Sequence, residues 1–283
     1  MSRKYVSRII LCFVLFFGLV FFEYTLRSQT IDTLQVSFLD VSQGDAIFIQ
    51  TPNNKQILID AGAEGNILAP LAHVMPRGDT TIDLVVMTHP DADHIGGFSE
   101  VFAHYTITTA LVSGSRGTST LSRSLKNTLD KKHVKQIVAY AGMQLVLDRE
   151  KNITLDILFP DQNIKSWETN DGSIVSRLVY NDTSVLFMAD APVETEQLLL
   201  ASYSDTLTSD ILKVGHHGSE TSTSETFLDS VSPAVAIISA GLNNRYGHPH
   251  QEVMERLIER GIEVRETSTD GTITYHSDGK RFK

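Results

Sequence analysis

The chain has 283 residues, 41% of them hydrophobic, and a formal net charge of −10, so it can bury a large core as one α/β domain or as two smaller ones. The excess of acidic residues argues against a protein that binds nucleic-acid phosphates through a basic stripe on its surface. The single cysteine, Cys12, excludes a disulfide framework and a thiolate metal site, which leaves His, Asp and Glu as the available metal ligands.

An apolar run lies near the start of the chain, at residues 9–22, and the basic residues Arg3, Lys4 and Arg8 precede it. This order is typical of a signal anchor or a signal peptide, with the basic end in the cytoplasm. At about 1.5 Å per residue the run spans only ~21 Å, short of a ~30 Å hydrocarbon core unless flanking residues contribute. Because no small-x-small cleavage site follows, we expect a single-pass membrane anchor over residues 1–31 and place residues 32–283 outside the cytoplasm. A secreted protein is the alternative.

Alternating apolar and polar residues predict an antiparallel meander at the start of the second segment. Its strands are expected at 34–39, 46–50 and 56–60, followed by a short helix at about 65–76. A strand at 83–88 then leads into a loop with the sequence His-Pro-Asp-Ala-Asp-His-Ile-Gly-Gly. This loop places four side chains that can bind a metal directly after a buried strand.

The rest of the chain alternates between helix and strand, which favours a layered α/β fold in one domain over residues 32–283. Helices are predicted at 98–104, about 121–132, about 193–201 and 250–260, and strands at 107–112, 135–140, 144–148, 153–159, 173–180, 184–188, 210–214, 234–239, 262–266 and 271–276.

The loop after the strand at 83–88 has the composition of a metal site. A tight turn can aim His89 and Asp91 at one metal and Asp93 and His94 at a second, and these ligand types suit Zn²⁺, Mn²⁺ or Fe. A polar turn with a helix cap is the alternative for this loop alone. The metal site is favoured because further His and Asp residues follow later apolar strands.

Several motifs in order give the chain a resemblance to the metallo-β-lactamase superfamily. The His-x-Asp-x-Asp-His loop at 89–94 is similar to its His-x-His-x-Asp-His hallmark. The stretches 39–46, 213–219 and 246–250 resemble the hydrolase domain at the C-terminal end of the DNA-uptake protein ComEC. This resemblance implies an αββα four-layer sandwich that holds two divalent metal ions, Zn or Mn. Carboxylate in place of imidazole at Asp91 favours Mn²⁺.

The resemblance also implies roles for individual residues. His89 and Asp91 are implied to bind one metal, and Asp93, His94 and His216 to bind the second. Asp190 is implied to bridge the two metals. Asp93 and His248 are the implied catalytic residues, with His248 near the departing oxygen of the substrate as an acid or electrophile. His217 is expected to orient a ligand or contact the substrate.

Other polar residues are predicted beside the ligands. Asp60 is expected to orient a ligand by a hydrogen bond, and His250 to cap a helix or orient a ligand. The third histidine of the usual first-metal site has no counterpart, so Asp171 or water is expected to complete that site. Asp45 is interpreted as a turn residue, with orientation of a ligand as the alternative. The resemblance leaves the role of Lys213 open, and a solvated residue on an edge strand is the simplest interpretation.

These observations predict an extracytoplasmic metal-dependent hydrolase, a phosphodiesterase or nuclease, whose DNA substrate is implied by the resemblance alone. The first alternative is a cell-surface esterase for small phosphodiesters or phosphocholine-type groups, which needs no basic groove. The second is a non-catalytic metal-binding competence module, which the absent histidine motivates. We expect the N-terminal helix to contact the membrane, and we infer no obligate protein partner.

Overall fold

Two seven-stranded sheets pack face to face in the computed structural model, which describes residues 12–18, 33–115, 117–161 and 168–283. The first sheet contains β1 (Leu34–Phe38), β2 (Ile47–Gln50), β3 (Gln56–Ile59), β4 (Thr81–Met87), β5 (Thr106–Val112), β6 (Lys135–Val138) and β14 (Ile273–Ser277), in the order β14-β1-β2-β3-β4-β5-β6. The second contains β7 (Gln144–Asp148), β8 (Ile153–Phe159), β9 (Val175–Tyr180), β10 (Thr183–Phe187), β11 (Ile211–Lys213), β12 (Val235–Ile238) and β13 (Glu263–Glu266), in the order β13 to β7.

Helices cover the outer face of each sheet. Those that follow strands of the first sheet are α1 (Leu68–Val74), α2 (Ala92–Ile95), α3 (Phe98–His104) and α4 (Thr120–Lys131). The remaining ones are α5 (Val193–Tyr203), α6 (Glu225–Val231), α7 (Gln251–Glu259) and α8 (Thr267–Asp270). The sequence did not predict α8, because Thr-Ser-Thr-Asp has low helix propensity and a single turn gives no periodicity.

Three apolar clusters show how these layers pack. The inner faces of the two sheets meet in one cluster, where the rings of Phe38 and Phe187 lie 6.3 Å apart between centroids. A second cluster joins the first sheet to its helices and contains Phe98. A third joins the second sheet to α5, α6 and α7 and contains Phe227 and Leu257. The order of layers is therefore helices, sheet, sheet, helices, in agreement with the α/β class that was predicted.

The direction of the strands determines where the polar loops meet. The predicted antiparallel meander is present as β1, β2 and β3. From β3 to β6, and from β10 to β13, neighbouring strands run parallel. Carboxyl ends of parallel strands lie at one edge of a sheet, which is where ligand sites form in α/β folds. The loops after β3, β4, β10, β11 and β12 meet at this edge.

Most of the predicted N-terminal anchor lies outside the described residues. Residues 12–18 are helical, and their apolar side chains are exposed, with Phe13 at 59% of its accessible surface. Within the described ranges, no helix has both the length and the apolar content needed to cross a membrane.

Candidate metal centre

The ligand loop after β4 is held in place by Asp60, which follows β3. Its carboxylate accepts hydrogen bonds from the backbone N–H of Thr88 at 2.9 Å and from the Thr88 hydroxyl at 2.5 Å. It also accepts from Nδ1 of His94 at 2.8 Å. Because Nδ1 of His94 donates its proton to Asp60, the lone pair of Nε2 points away from Asp60 and is available to a metal.

His89 is oriented in a related way. Its Nδ1 lies 3.0 Å from Oγ1 of Thr88, and this hydroxyl gives its own proton to Asp60. His89 therefore donates from Nδ1 to the hydroxyl oxygen. Its Nε2 is buried and has no hydrogen-bond partner, which is unusual for a buried polar atom.

The second sheet contributes Asp190 after β10 and two histidines after β11. His216 and His217 are consecutive left-handed residues, with φ of 46° and 54°, in a tight turn over Gly215–Gly218. This conformation is uncommon for residues with side chains. Nδ1 of His217 donates to the Ser239 carbonyl at 2.8 Å, so its Nε2 is also directed away from that bond.

The two oxygens of Asp190 face two different groups of nitrogens. Oδ1 lies 3.2 Å from Nε2 of His94 and 3.4 Å from Nε2 of His217. Oδ2 lies 3.7 Å from Nε2 of His89 and 3.9 Å from Nε2 of His216. A carboxylate in this position can serve one cation with each oxygen.

The group on the Oδ1 side fits a divalent cation. Nε2 of His94 and Nε2 of His217 lie 3.3 Å apart, although both rings donate from Nδ1 to other partners. Asp93 completes the group, with Oδ2 at 3.5 Å from Nε2 of His217. Ligand atoms around a tetrahedral Zn²⁺ with bonds of about 2.0–2.1 Å are separated by roughly 3.3–3.4 Å. The spacing of these donors is therefore that of a coordination shell.

The two adjacent histidines lie on different sides of Asp190. His217, rather than His216, lies beside Asp93 and His94. His216 lies on the Oδ2 side with His89, where its ring nitrogens contact Asn170 at 3.4 Å and Thr221 at 2.9 Å. It therefore lies on the side for which the motifs predict no third histidine. Spacing could not distinguish the two, because both follow the same strand.

Asp91 and Asp171 lie in a cleft of about 620 Å³ that also contains His216. Among the residues that the structure describes, Asp91, Asp171 and His216 do not belong to a group of three donor atoms that lie within 4.8 Å of one another. Burial raises the pKa of Asp91, and burial followed by the charges of Glu194 and Glu168 raises the pKa of Asp171. We refer to this space, which contains four carboxylates, as the acidic cleft.

His248 and His250 lie on the loop after β12. The His248 ring is 5.6 Å from the His216 ring between centroids, and its backbone N–H donates to Oδ1 of Asn244 at 3.0 Å. His250 precedes α7, but its side chain does not cap that helix. Instead, Nδ1 of His250 accepts a hydrogen bond from the Glu220 backbone at 2.9 Å, and its ring packs 4.9 Å from that of His248. His250 therefore helps to orient His248.

Two residues interpreted as peripheral are central to the site. Lys213 has no exposed surface, and its Nζ lies 2.7 Å from Oδ1 of Asp45, which is also buried. The same oxygen of Asp45 is 3.3 Å from Nδ1 of His217. The interpretations of Asp45 as a turn residue and Lys213 as a solvated edge residue were wrong. The sequence feature that indicates this burial is a lysine inside an apolar run. Since β11 is paired with a strand on both sides, a charge there is buried and needs a partner.

Burial and neighbouring charges move the histidine pKa values in opposite directions. Burial lowers the pKa of His89 to about 3, so this ring is neutral at pH 7. Burial also opposes a charge on His217, but Asp190, Asp45 and Asp93 outweigh it and raise the pKa to about 9. Without a metal, a proton on His217 thus compensates the carboxylates around it.

We expect the metal-free protein to lose stability as pH rises from about 6.5 to 9. The His217 pKa is raised on folding, so its contribution is complete below the unfolded pKa of 6.5 and is lost as pH passes about 9. The slope is about 1.4 kcal/mol per pH unit for one such proton. Urea unfolding across this range measures it, and His217→Gln should reduce the slope without removing it, because burial of His94 is outweighed by Asp190 and Asp60, which also hold the pKa of His94 well above its ordinary value. An unchanged slope in this variant would contradict the assignment.

Comparisons with known proteins agree over most of the chain. ComE operon protein 3 of Bacillus subtilis is 30% identical over 299 residues, which cover 97% of this chain and 36% of that protein. Recombination protein 2 of Haemophilus influenzae is 31% identical over 91% of this chain and 31% of its own length. Competence protein ComA of Neisseria gonorrhoeae is 28% identical over 85% of this chain and 32% of its own length. The chain thus spans about a third of the length of these relatives.

Solved structures share the fold at low sequence identity. Igni18, a metallo hydrolase from Ignicoccus hospitalis, aligns with a TM-score of 0.52 and 15% identity over 86% of this chain and 98% of its own. CmlA, a diiron β-hydroxylase from Streptomyces venezuelae, aligns with a TM-score of 0.55 and 12% identity over 85% of this chain and 53% of its own. The family model of the metallo-beta-lactamase superfamily matches residues 39–241. The chain belongs to the metallo-β-lactamase superfamily, has its metal-dependent hydrolase fold and is related to competence proteins.

Proposed function

We propose that this chain is a dinuclear metal-dependent phosphodiesterase that hydrolyses DNA. The observation that supports two metals is the position of Asp190, whose two oxygens face separate groups of imidazole nitrogens. In this proposal Asp93, His94 and His217 hold one metal. The other is held by His89, His216 and Asp91, with Asp190 between the two.

Bound divalent ions at these positions would activate a water for hydrolysis near neutral pH and stabilise charge on a phosphoryl oxygen. The protein's own residues prepare the site for this. Asp60 and the Ser239 carbonyl fix the tautomers of His94 and His217, so that the Nε2 lone pairs face inward. The imidazoles therefore need no reorientation when metals bind.

His248 is the proposed contact to the departing oxygen. Burial, followed by His217, His216 and His250, lowers its pKa to about 4. The ring is therefore neutral at pH 7, which supports a role as a hydrogen-bond donor and argues against a permanently charged acid.

DNA as the substrate is supported by two of the relatives, one named for recombination and one for competence. The extracytoplasmic location predicted from residues 9–22 is part of the proposal. Protease digestion of intact cells tests it, since a domain outside the cytoplasm is cleaved before lysis and one inside is protected.

We expect the purified full chain, loaded with Mn²⁺ or Zn²⁺, to cleave DNA or bis-p-nitrophenyl phosphate. Asp190→Asn should lower this activity at least 100-fold, because even the hydrogen-bond partners of metal ligands typically contribute ~10–100-fold. Asp182→Asn is a matched control, since Asp182 is exposed in the turn at the opposite end of β10. A metal-loaded protein that cleaves neither substrate would contradict the proposal and favour a binding module.

A second candidate is hydrolysis of a small phosphodiester with a cationic group, such as a phosphocholine-type ester. The acidic cleft beside His216 supports this candidate, because Asp91, Glu168, Asp171 and Glu194 would attract a cation. Cleavage of p-nitrophenylphosphorylcholine with DNA left intact would favour it over the nuclease.

A further inference from the structure

A second cleft, of about 520 Å³, lies between the loop after β5 and helix α4 and reaches His89. It is separate from the acidic cleft, since the two have no lining residue in common. Its volume lies within the range of ~300–1,000 Å³ that is typical of small-molecule sites. We refer to it as the α4 cleft.

The floor of the α4 cleft is apolar. It contains Met87, Leu125 and Leu129, which are 7%, 2% and 3% exposed. Hydroxyl groups of Ser115 and Ser122 lie around this floor. The Ser115 oxygen is buried and has no hydrogen-bond partner. An apolar surface next to an unsatisfied hydroxyl is suited to a flat ring that also carries polar groups.

The charged side chains of the α4 cleft are cations. Arg123 and Lys126 line it from one face of α4, and both are exposed. Arg123 is held by a hydrogen bond from Nη1 to the Thr118 carbonyl at 2.6 Å. The protein as a whole carries a net charge of −10. Two cations in a cleft that reaches His89 therefore form a local exception that would attract phosphate.

A close backbone contact defines the shape of the cleft. A Cβ at Gly117 would lie 2.3 Å from Oγ of Ser122 and 2.9 Å from Cβ of Pro90. Glycine thus allows the loop to contact both α4 and the ligand loop. Since Pro90 follows His89 directly, the cleft is fixed in position relative to the metal centre.

We propose that the α4 cleft binds the nucleotide unit next to the scissile phosphate. The base would lie on the apolar floor, and Arg123 and Lys126 would contact the phosphate on the far side of this nucleotide. This inference rests on the proposed function and specifies which part of the protein recognises the substrate.

The first test is binding of thymidine 5′-monophosphate to the full chain without metal, measured by calorimetry at low salt. The double variant Arg123→Gln/Lys126→Gln should weaken binding about tenfold. The control Lys131→Gln/Lys132→Gln, at the end of the same helix, should leave it within about twofold. Thymidine and deoxyribose 5-phosphate should each bind more weakly than the nucleotide. Inorganic phosphate binding as tightly as the nucleotide would overturn the proposal.

The second test compares two substrates of the metal-loaded protein. The double variant should raise KM for a thymidine trinucleotide about tenfold and leave KM for bis-p-nitrophenyl phosphate unchanged. A merely structural effect would alter both. Lys126→Gln alone, which keeps the Arg123 hydrogen bond, should give an intermediate increase. Equal KM values for wild type and double variant would overturn the inference, even if DNA is cleaved. Nucleotide binding without any hydrolysis would overturn the proposed function and support the cleft.

Discussion

His217→Ala is expected to lower both metal affinity and hydrolysis at least 100-fold. The Nε2 atom of His217 lies 3.4 Å from Asp190, 3.5 Å from Asp93 and 3.3 Å from His94, so its removal leaves a gap in this donor group. Partners that only orient metal ligands typically contribute ~10–100-fold, and a ligand should contribute more. Metal content by mass spectrometry and kcat/KM for bis-p-nitrophenyl phosphate measure the two effects.

Double variants test which histidine belongs to which metal. Residues that act as one unit show strongly non-additive effects. His217→Ala combined with Asp93→Ala should therefore be little worse than either change alone, and His216→Ala should behave in the same way with His89→Ala. His104→Ala, which removes an exposed histidine on α3, should have no effect. Non-additivity between His216 and Asp93 instead would restore the assignment expected from the motif alone.

Lys213→Met is expected to lower the free energy of unfolding by about 3–5 kcal/mol, because removing one member of a buried ion pair leaves a buried charge without compensation. Nζ of Lys213 lies 2.7 Å from Asp45, and both side chains are at most 1% exposed. Asp45 would then keep only His217, at 3.3 Å, in place of its closest charged partner. Guanidinium unfolding of the metal-free chain measures the loss.

Two further variants separate the buried charge from its packing. Asp45→Asn/Lys213→Met leaves no unpaired charge and should recover part of the stability. Lys55→Met is the matched control, because Lys55 and Asp83 are also 2.7 Å apart but are 52% and 38% exposed. This pair should contribute less than about 1 kcal/mol. Similar losses for Lys213→Met and Lys55→Met would contradict the role of burial.

The elements of secondary structure could be predicted because their signal is local. The alternation in 34–60 predicts strands, and the structure contains β1, β2 and β3 there, buried on both faces. The helix predicted at about 121–132 is Thr120–Lys131, whose N-terminus is capped by Ser119 accepting from the Ser122 backbone. Asp60 is a contrasting case, since its hydrogen bonds to Thr88 and His94 span 28 and 34 residues.

The sequence by itself determined the layered α/β class, the family and the residues at the ends of the strands, because hydrophobic periodicity and motif spacing are properties of short segments. Only the tertiary structure decided which of two adjacent histidines faces Asp93. That choice depends on a turn with two left-handed residues, at φ of 46° and 54°, which the order of residues does not specify. The pairing of Lys213 with Asp45 and the separation of the acidic cleft from the α4 cleft also needed the fold. They arise where two sheets bring segments that are distant in sequence within a few ångströms.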